Sequence, residues 1–107
     1  MSVLLEFAMF PTSDNCREGS SVSKQVAKII GAIDASGVQY QLTPMGTIIE
    51  TETMEEALAV IALAYKQVEE CERVYSSLKF DIRHKSHDRL TNKIASVEKH
   101  LGKEVEK

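Results

Sequence analysis

Four short runs of apolar or alternating residues predict the strands of this protein. Val3–Phe10 is apolar at nearly every position, which is typical of a strand buried on both faces in the middle of a sheet. Val38–Leu42 and Thr47–Thr51 flank the segment Pro44–Gly46, where proline fits the first corner of a turn and glycine fits its exit. We therefore predict a β-hairpin there, and a fourth strand over Val74–Arg83.

Apolar residues recur every three or four positions in three other segments, which predicts amphipathic helices. The stripes consist of Val22, Val26, Ile29, Ile30 and Ile33, then of Met54, Leu58, Ile61, Tyr65 and Val68, widened by Ala57, Ala64 and Cys71, and last of Leu90, Ile94, Val97 and Leu101. Gly37 suits the left-handed position that follows the first helix. Thr53 and Glu56 have the spacing of a capping box at the start of the second helix, which we expect to reach about Glu72.

The predicted order of elements is β-α-β-β-α-β, followed by one more helix. Each β-α-β unit has a right-handed crossover connection, so two such units joined by a hairpin give a ferredoxin-like α+β sandwich. The first and third strands then lie at the centre of an antiparallel four-stranded sheet, and two helices cover one of its faces. We expect a single domain over residues 1–107, with an extra C-terminal helix.

The second face of this sheet has no helix to cover it, and we call it the open face. We place on it the apolar residues Leu4, Ala8, Phe10 and Tyr75 and the charged residues Glu6, Lys79, Asp81 and Arg83. A mixed apolar face is costly in water, so we expect it to meet a second subunit. The charged side chains fit either an interface salt-bridge network or a solvated face, or else a polar ligand site at the sheet edge or between subunits.

Composition restricts the expected partners and location. The formal net charge is -3 and no run of Lys or Arg forms a basic stripe, so nucleic acid is not an expected partner. No segment approaches the roughly 20 apolar residues of a membrane span, and Met1–Phe10 lacks the features of a signal peptide. We therefore expect a soluble cytoplasmic protein without a membrane partner, in which Cys16 and Cys71 are free thiols rather than a bridge.

The sequence contains no motif that indicates catalysis or a cofactor. It has no glycine-rich phosphate loop, no nucleophile elbow and no HExxH zinc motif. His84 and His87 lack an evident third ligand, so we predict neither a metal site nor a bound cofactor. Thr47 and Glu50 are, by themselves, ordinary strand residues.

Three segments of the chain resemble the small thiamine-binding protein family. They are Ser21–Lys24 at the first helix, Tyr40–Glu50 through the turn, and Lys79–Arg83, followed by Lys93 and Val97. The Pro-Met-Gly-Thr-x-x-Glu portion is the most specific part, and the resemblance covers nearly the whole chain. It implies a ferredoxin-like fold, usually in a homotetramer of dimers whose sheets pack together. It also implies binding of thiamine or its hydroxymethylpyrimidine portion without catalysis.

The resemblance further implies which side chains face the ligand. Carried over by motif, these are Ser21, Ser23, Met45, Thr47, Glu50 and Asp81. Serine and threonine hydroxyls donate or accept, a carboxylate accepts from the pyrimidine amine, and methionine packs against the ring. Ser21 and Ser23 also fit ordinary helix caps. Where many relatives have glycine before the proline, this chain has Thr43, which we expect to tighten the turn.

Two functions stay open from the sequence. The first is a non-enzymatic cytoplasmic binding protein for thiamine or its hydroxymethylpyrimidine moiety. The alternative is an oligomeric regulatory or scaffold module without a small-molecule ligand, whose open face exists for assembly. In both cases we expect a homo-oligomer of at least two chains, with sheet faces or edge strands at the contacts, and the resemblance favours a tetramer.

Overall fold

The computed structural model describes residues 1–16, 23–85 and 89–90 of the chain. The elements are strand β1 (Ser2–Pro11), a 3₁₀ turn (Asp14–Cys16), helix α1 (Ser23–Ser36), strands β2 (Gln39–Thr43) and β3 (Gly46–Thr51), helix α2 (Met54–Lys66) and strand β4 (Val74–Arg83). The four predicted strands and the first two helices are confirmed. The predicted C-terminal helix lies outside the described residues except for Arg89 and Leu90, which are helical.

The four strands form one sheet in the order β2-β3-β1-β4, and all neighbouring strands are antiparallel. β1 and β3 are therefore central, as predicted. Leu5 of β1 lies opposite Ile49 of β3 on one side and Phe80 of β4 on the other. This order, with the two helices on one face, confirms the ferredoxin-like α+β fold.

The hydrophobic core lies between the sheet and the two helices. Its buried residues include Val3, Leu5, Phe7 and Met9 of β1, Ile49 of β3, Ile29 and Ile33 of α1, and Ala57, Val60 and Ala64 of α2. Because successive strand residues point to opposite faces, Leu4 and Glu6 lie on the open face. No helix within the described ranges is long and apolar enough to cross a membrane.

The predicted apolar stripe of α2 is partly wrong. Ala57 and Ala64 are buried as expected, but Leu58 and Tyr65 are 51% and 47% exposed, and Val60 is buried instead. Consecutive helix residues are about 100° apart, so Leu58 and Tyr65, each one position after a buried alanine, lie on the flank of the helix. Small alanine side chains determine which face approaches the core, and a count of large residues misses them.

α2 also ends earlier than predicted, at Lys66 rather than near Glu72. The amide of Val68 donates to the Tyr65 carbonyl at 2.9 Å, which is a bond from residue i to residue i−3. Such bonds tighten the last turn of a helix instead of continuing it. The residues that follow α2 consequently form turns that lead into β4.

Three local signals in the sequence are confirmed. Thr53 and Glu56 form a capping box at the start of α2. Gly37 follows α1 with a φ of 80°, in the left-handed region that favours glycine. The Thr43 hydroxyl accepts a hydrogen bond from the Met45 amide at 3.2 Å, so Thr43 does tighten the hairpin turn.

Cys16 and Cys71 form a disulfide, so the prediction of free thiols is wrong. The Thr12 amide donates to the Arg73 carbonyl at 2.8 Å, which holds the loop after β1 against the residues before β4. The two cysteine Cα atoms are consequently 5.6 Å apart, a separation that a disulfide can span. The cysteines are 55 residues apart in sequence, and only the fold brings them together.

Strand β4 is at the edge of the sheet and is the most exposed strand of the four. Leu78, Phe80 and Ile82 alternate with the open-face residues and point to the helix side, which the strand period favours as the core side, but they are 39%, 38% and 41% exposed. They remain exposed because α1 and α2 pack over β1 and β3. The helix side of β4 therefore presents large apolar side chains to solvent.

Candidate functional site

An apolar cavity of about 270 Å³ lies beside the β2–β3 turn. Its lining includes Phe7 and Met9 of β1, Val26, Ile29 and Ile30 of α1, and residues 42–47 of the hairpin. No charged side chain is among the described residues that line it. A cavity of this kind suits a flat, uncharged ring that is oriented by a small number of polar groups.

The hairpin turn forms the rim of the cavity. The Thr43 hydroxyl accepts from the Met45 amide and donates to the Gly46 carbonyl at 2.9 Å. Gly46 lies against β1, since a Cβ atom at this position would be 2.7 Å from the Phe7 carbonyl oxygen. The turn is thus held in place on both sides, and the Met45 side chain remains 85% exposed at the rim.

Thr47 supplies a polar group to the cavity. It lies between Phe7 and Leu42 on the neighbouring strands and is only 5% exposed. Within the described part of the chain, its hydroxyl makes no hydrogen bond. A hydroxyl that lines a cavity without a protein partner can donate to, or accept from, a molecule bound there.

The two serines implied as ligand-facing belong to the start of α1. Ser23 begins this helix one turn before Val26, which lines the cavity. Ser21 lies outside the described residues. Ser23, Met45 and Thr47 are therefore close to the same end of the sheet, and they stay candidates for one site.

Glu50 and Asp81 lie elsewhere, on the open face, where both are paired with Leu4 of β1. Thr47 and Glu50 are three residues apart on β3, and an odd separation along a strand directs two side chains to opposite faces of the sheet. The structure consequently does not bring the implied ligand-facing residues together in one cavity. It divides them into a cavity group and an open-face group.

The Glu50 carboxylate accepts hydrogen bonds from other groups of the protein. Its Oε2 atom accepts from the Ser2 hydroxyl at 2.5 Å and from the Arg89 amide at 2.9 Å. Its Oε1 atom accepts from the Leu90 amide at 3.0 Å. A carboxylate that accepts from the free amides of a helical turn acts as a cap. Glu50 thus holds Arg89 and Leu90 against the open face.

Arg89 connects Glu50 with Asp81, and we call these residues with Ser2 the Glu50 cluster. The Arg89 guanidinium donates to the hydroxyl and to the carbonyl of Ser2, both at 2.9 Å. It also donates to the Asp81 carbonyl and lies 2.9 Å from the Asp81 carboxylate. The sequence analysis missed Arg89, because neither the alternation of a strand nor the repeat of a helix predicts that this residue contacts the first strand.

The Glu50 cluster lowers the pKa of Glu50 below its ordinary value. Burial by itself raises this pKa, but the hydrogen bonds from Ser2 and the two amides, together with the Arg89 charge, outweigh burial. Protein donors take three of the roughly four acceptor positions of a carboxylate. This arrangement is that of a structural anchor.

Other charged side chains of the open face also meet each other. Glu6 Oε1 lies 4.0 Å from Lys79 Nζ, in addition to the ion pair between Asp81 and Arg89. These contacts favour ion pairs on a solvated face over a polar ligand site. The Glu6–Lys79 pair is exposed and contributes little to stability.

One group of metal-ligating atoms occurs in the described part of the chain, formed by Cys16, Glu70 and Cys71 within 4.8 Å of one another. Both sulfur atoms belong to the disulfide, so neither is a thiolate that could bind a metal. The spacing of His84 and His87, from which no metal site was predicted, cannot be compared with the structure because His87 lies outside the described residues.

Comparison with known proteins finds several UPF0045 proteins. The one from Mycobacterium bovis is 34% identical over 102 residues, which cover 94% of this chain and 96% of the relative. UPF0045 protein YqgV of Bacillus subtilis is 39% identical over 90 residues, with coverage of 78% and 86%. The one from Methanothermobacter thermautotrophicus is 31% identical over 84 residues, with coverage of 77% and 85%.

Solved structures show the same fold. The hypothetical protein MJ1052 from Methanocaldococcus jannascii has a TM-score of 0.72 and 27% identity, and the match covers 90% of this chain and 95% of that one. A protein of Thermotoga maritima that is provisionally assigned to thiamine biosynthesis or salvage has a TM-score of 0.72 at 18% identity, with coverage of 91% and 99%. The model of the thiamine-binding protein family matches residues 5–98. Similar in sequence and fold along most of its length, this chain belongs to the thiamine-binding protein family.

Proposed function

We propose that this protein binds thiamine or its hydroxymethylpyrimidine moiety in the cavity beside the β2–β3 turn and does not catalyse a reaction. The observation that carries the proposal is Thr47, a nearly buried residue whose hydroxyl, among the described residues, has no partner and lines an apolar cavity. The family, named for thiamine binding, supports the class of ligand. Cytoplasmic location stays a prediction from the sequence.

The chemistry of an aminopyrimidine fits this cavity. Its ring is flat and apolar on both faces, which suits a wall formed by Val26 and Ile30 of α1. The Thr47 hydroxyl donates to a ring nitrogen or accepts from the exocyclic amine. Met45, exposed at the rim, has a flexible thioether that packs over the ring.

The uncharged lining also orients the ligand and argues against turnover. A thiazolium cation has no carboxylate to meet in the cavity, so this end of thiamine points toward solvent. The described lining contains no His, Cys, Asp, Glu or Lys that could act as a nucleophile or base. We leave Glu50 and Asp81 out of the proposed site because both engage Arg89.

Titration calorimetry with thiamine, hydroxymethylpyrimidine and thiamine phosphate tests the proposal. We expect binding of the first two ligands, and about fivefold weaker binding by Thr47→Val, since a hydrogen bond contributes about 1 kcal/mol. Thr51→Val is the matched control, because Thr51 lies on the same strand and on the same face but outside the cavity. Absence of heat with all three ligands contradicts the function, and unchanged affinity of Thr47→Val contradicts the site.

The alternative function is an oligomeric regulatory or scaffold module without a small-molecule ligand. The exposed apolar residues of β4 favour it as a second candidate, because exposed patches of this kind mark contact surfaces. It predicts that Thr47→Ala and Glu50→Ala leave every partner interaction unchanged. Under both functions we propose a homo-oligomer, at least a dimer, whose mass light scattering measures directly.

A further inference from the structure

Three groups that can bind a metal ion meet where the loop after β1 contacts the residues between α2 and β4. The Sγ atoms of Cys16 and Cys71 and a carboxylate oxygen of Glu70 lie within 4.8 Å of one another. Both cysteines are buried, whereas Glu70 is exposed. In the oxidised protein the two sulfur atoms are bonded to each other, so the chemistry of this group depends on the state of the disulfide.

Hydrogen bonds from Asn15 hold the two cysteines together independently of the disulfide. The Asn15 side-chain amide donates to the Glu70 carbonyl at 3.1 Å, and its Oδ1 atom accepts from the Glu72 amide at 3.3 Å. Asn15 directly precedes Cys16, and the two residues that it binds flank Cys71. One side chain next to the first cysteine therefore fixes the backbone on both sides of the second.

The same two loops are joined again beside this contact. The Thr12 amide donates to the Arg73 carbonyl at 2.8 Å, and the Arg73 guanidinium donates to the Thr12 hydroxyl at 2.9 Å. The Arg73 amide also donates to the Ser13 hydroxyl at 3.2 Å. None of these bonds uses a cysteine side chain, so we expect them to persist when the disulfide is reduced. The reduced thiols then stay close to each other and to Glu70.

Reduction converts the two sulfur atoms into metal ligands. A dithiol transfers two electrons and two protons to the disulfide, so the S–S bond breaks, Cys16 and Cys71 become thiols, and the dithiol closes into its own disulfide. A divalent cation then displaces one proton from each thiol into solvent, because the thiolate is the form that binds a metal. This second step forms two metal–sulfur bonds and transfers no electron.

The three groups suit zinc better than the other common divalent cations. Thiolates select Zn²⁺, whereas Mg²⁺ and Ca²⁺ prefer oxygen ligands alone. Zinc binds four ligands at the corners of a tetrahedron, and its bonds of about 2.3 Å to sulfur place two sulfur atoms about 3.8 Å apart. Rotation of the two cysteine side chains provides this separation. The exposed Glu70 carboxylate supplies the third ligand, and water reaches the fourth position from solvent.

We propose that the reduced protein binds one Zn²⁺ through Cys16, Cys71 and Glu70. The disulfide and the zinc site are thus alternative states of the same two cysteines. This inference does not rest on the ligand, on its cavity or on the homo-oligomer proposed above.

A zinc titration of the reduced protein tests the site. The protein is reduced with a dithiol, separated from it in oxygen-free buffer, and titrated with Zn²⁺ in competition with a metal-binding dye. We expect one Zn²⁺ per reduced chain, no binding by the oxidised protein, and no binding of Mg²⁺ to either form.

Glu70→Gln tests the carboxylate without disturbing the loops. The variant keeps both cysteines and the backbone carbonyl that Asn15 binds, so its fold should be that of the wild type. It should bind Zn²⁺ at least about tenfold more weakly, since even the loss of a residue that only supports a metal ligand costs this much affinity. Glu69→Gln is the matched control, because Glu69 is the exposed neighbour that lies outside the group of ligand atoms.

Urea denaturation gives a second readout, which shows that the folded protein holds the ion. An ion that binds only the folded state raises the midpoint of unfolding. Zn²⁺ should therefore raise the midpoint of the reduced wild type, and a chelator should reverse the shift. The midpoint of the oxidised protein should not change, because its sulfur atoms are not available.

Three results would overturn the inference. They are a reduced wild type that takes up no Zn²⁺ at micromolar concentration, equal zinc affinities of Glu70→Gln and Glu69→Gln, and equal uptake by the oxidised and reduced proteins. None of them affects the binding of thiamine or hydroxymethylpyrimidine, which calorimetry measures separately on the oxidised protein.

Discussion

The two ends of the sheet use polar groups in opposite ways. At the cavity end, the Thr47 hydroxyl has no hydrogen-bond partner in the described part of the chain, and the described lining is uncharged. At the other end, Glu50 accepts three hydrogen bonds and Arg89 connects it with Asp81. A polar group whose partners belong to the protein stabilises the fold, whereas one without partners is available to a ligand. We therefore propose that the cavity end recognises the ligand, whereas the Glu50 cluster anchors the fold.

The two ends also differ in how their loops are held. The loop after β1, near the cavity end, is joined to the residues before β4 by the Cys16–Cys71 disulfide. The residues after β4 are held by hydrogen bonds and one ion pair to Arg89. The stability of the cavity end should therefore depend on whether a reductant is present. The stability of the other end should depend on pH.

The largest effect on stability is expected at the covalent cross-link. Replacing both cysteines, Cys16→Ala with Cys71→Ala, should lower the free energy of unfolding by about 4 kcal/mol, the loop-entropy value for a loop of this length. Urea denaturation measures this loss. Wild-type protein treated with a dithiol should lose a similar amount, and a loss below about 1 kcal/mol would mean that the cross-link contributes little in the folded protein.

The next largest effect is expected at Glu50. Glu50→Ala leaves the Ser2 hydroxyl and the amides of Arg89 and Leu90 without their acceptor and removes the negative charge near the Arg89 guanidinium, so the free energy of unfolding should fall by about 3 kcal/mol. Glu6→Ala is the matched control on the same face. Its ion pair with Lys79 is exposed, and it should cost less than about 0.5 kcal/mol. Equal losses in the two variants would refute the role of the Glu50 cluster.

The pKa of Glu50 gives the same anchor a pH dependence. Because this pKa is lower in the folded state than its ordinary value of 4.5, ionised Glu50 stabilises the fold above that pH. The contribution is lost as pH falls through the lowered pKa. Glu50→Gln should therefore be less stable than the wild type near neutral pH and should approach it in acid. If the unfolding free energies of Glu50→Gln and of the wild type change in parallel with pH, the pKa of Glu50 is the same in the folded and unfolded states.

Much of the fold could be predicted because its signals are local. The capping box at Thr53, the left-handed Gly37 and the alternation of β4 each act within a few residues. The disulfide could not be predicted, because the approach of Cys16 to Cys71 depends on two loops far apart in sequence. The stripe of α2 was misjudged because the buried alanines are small.

The candidate site was only partly predictable for a related reason. The motif that contains Thr47 and Glu50 is continuous in sequence, but the pleat of β3 directs its two ends to opposite faces. Arg89, which engages Glu50, follows β4 and has no sequence signal that relates it to Ser2. A motif thus identifies a segment, and the strand period determines which of its residues share a site.

A smaller effect is expected at the hairpin turn on the cavity rim. Gly46→Ala would place a methyl group 2.7 Å from the Phe7 carbonyl oxygen, so the backbone must shift, at a cost of about 2 kcal/mol. Gly31→Ala is the control within α1. A Cβ there meets nothing within 4 Å, and the change should stabilise the protein by up to about 1 kcal/mol. Thermal unfolding of both variants measures the opposite signs, and a neutral Gly46→Ala would show that the turn is not tightly held.

The smallest effect on stability is expected at two threonines that lie on the same face of β3. The Thr51 hydroxyl donates to the Thr53 carbonyl at 2.8 Å, so Thr51→Val should cost about 1 kcal/mol of unfolding free energy. The Thr47 hydroxyl has no such bond among the described residues, and Thr47→Val should change stability by less than about 0.5 kcal/mol or increase it. Urea denaturation of the two variants without ligand measures the contrast. If Thr47→Val is the more costly change, the hydroxyl is already in use within the protein, and the cavity loses the polar group on which ligand binding depends.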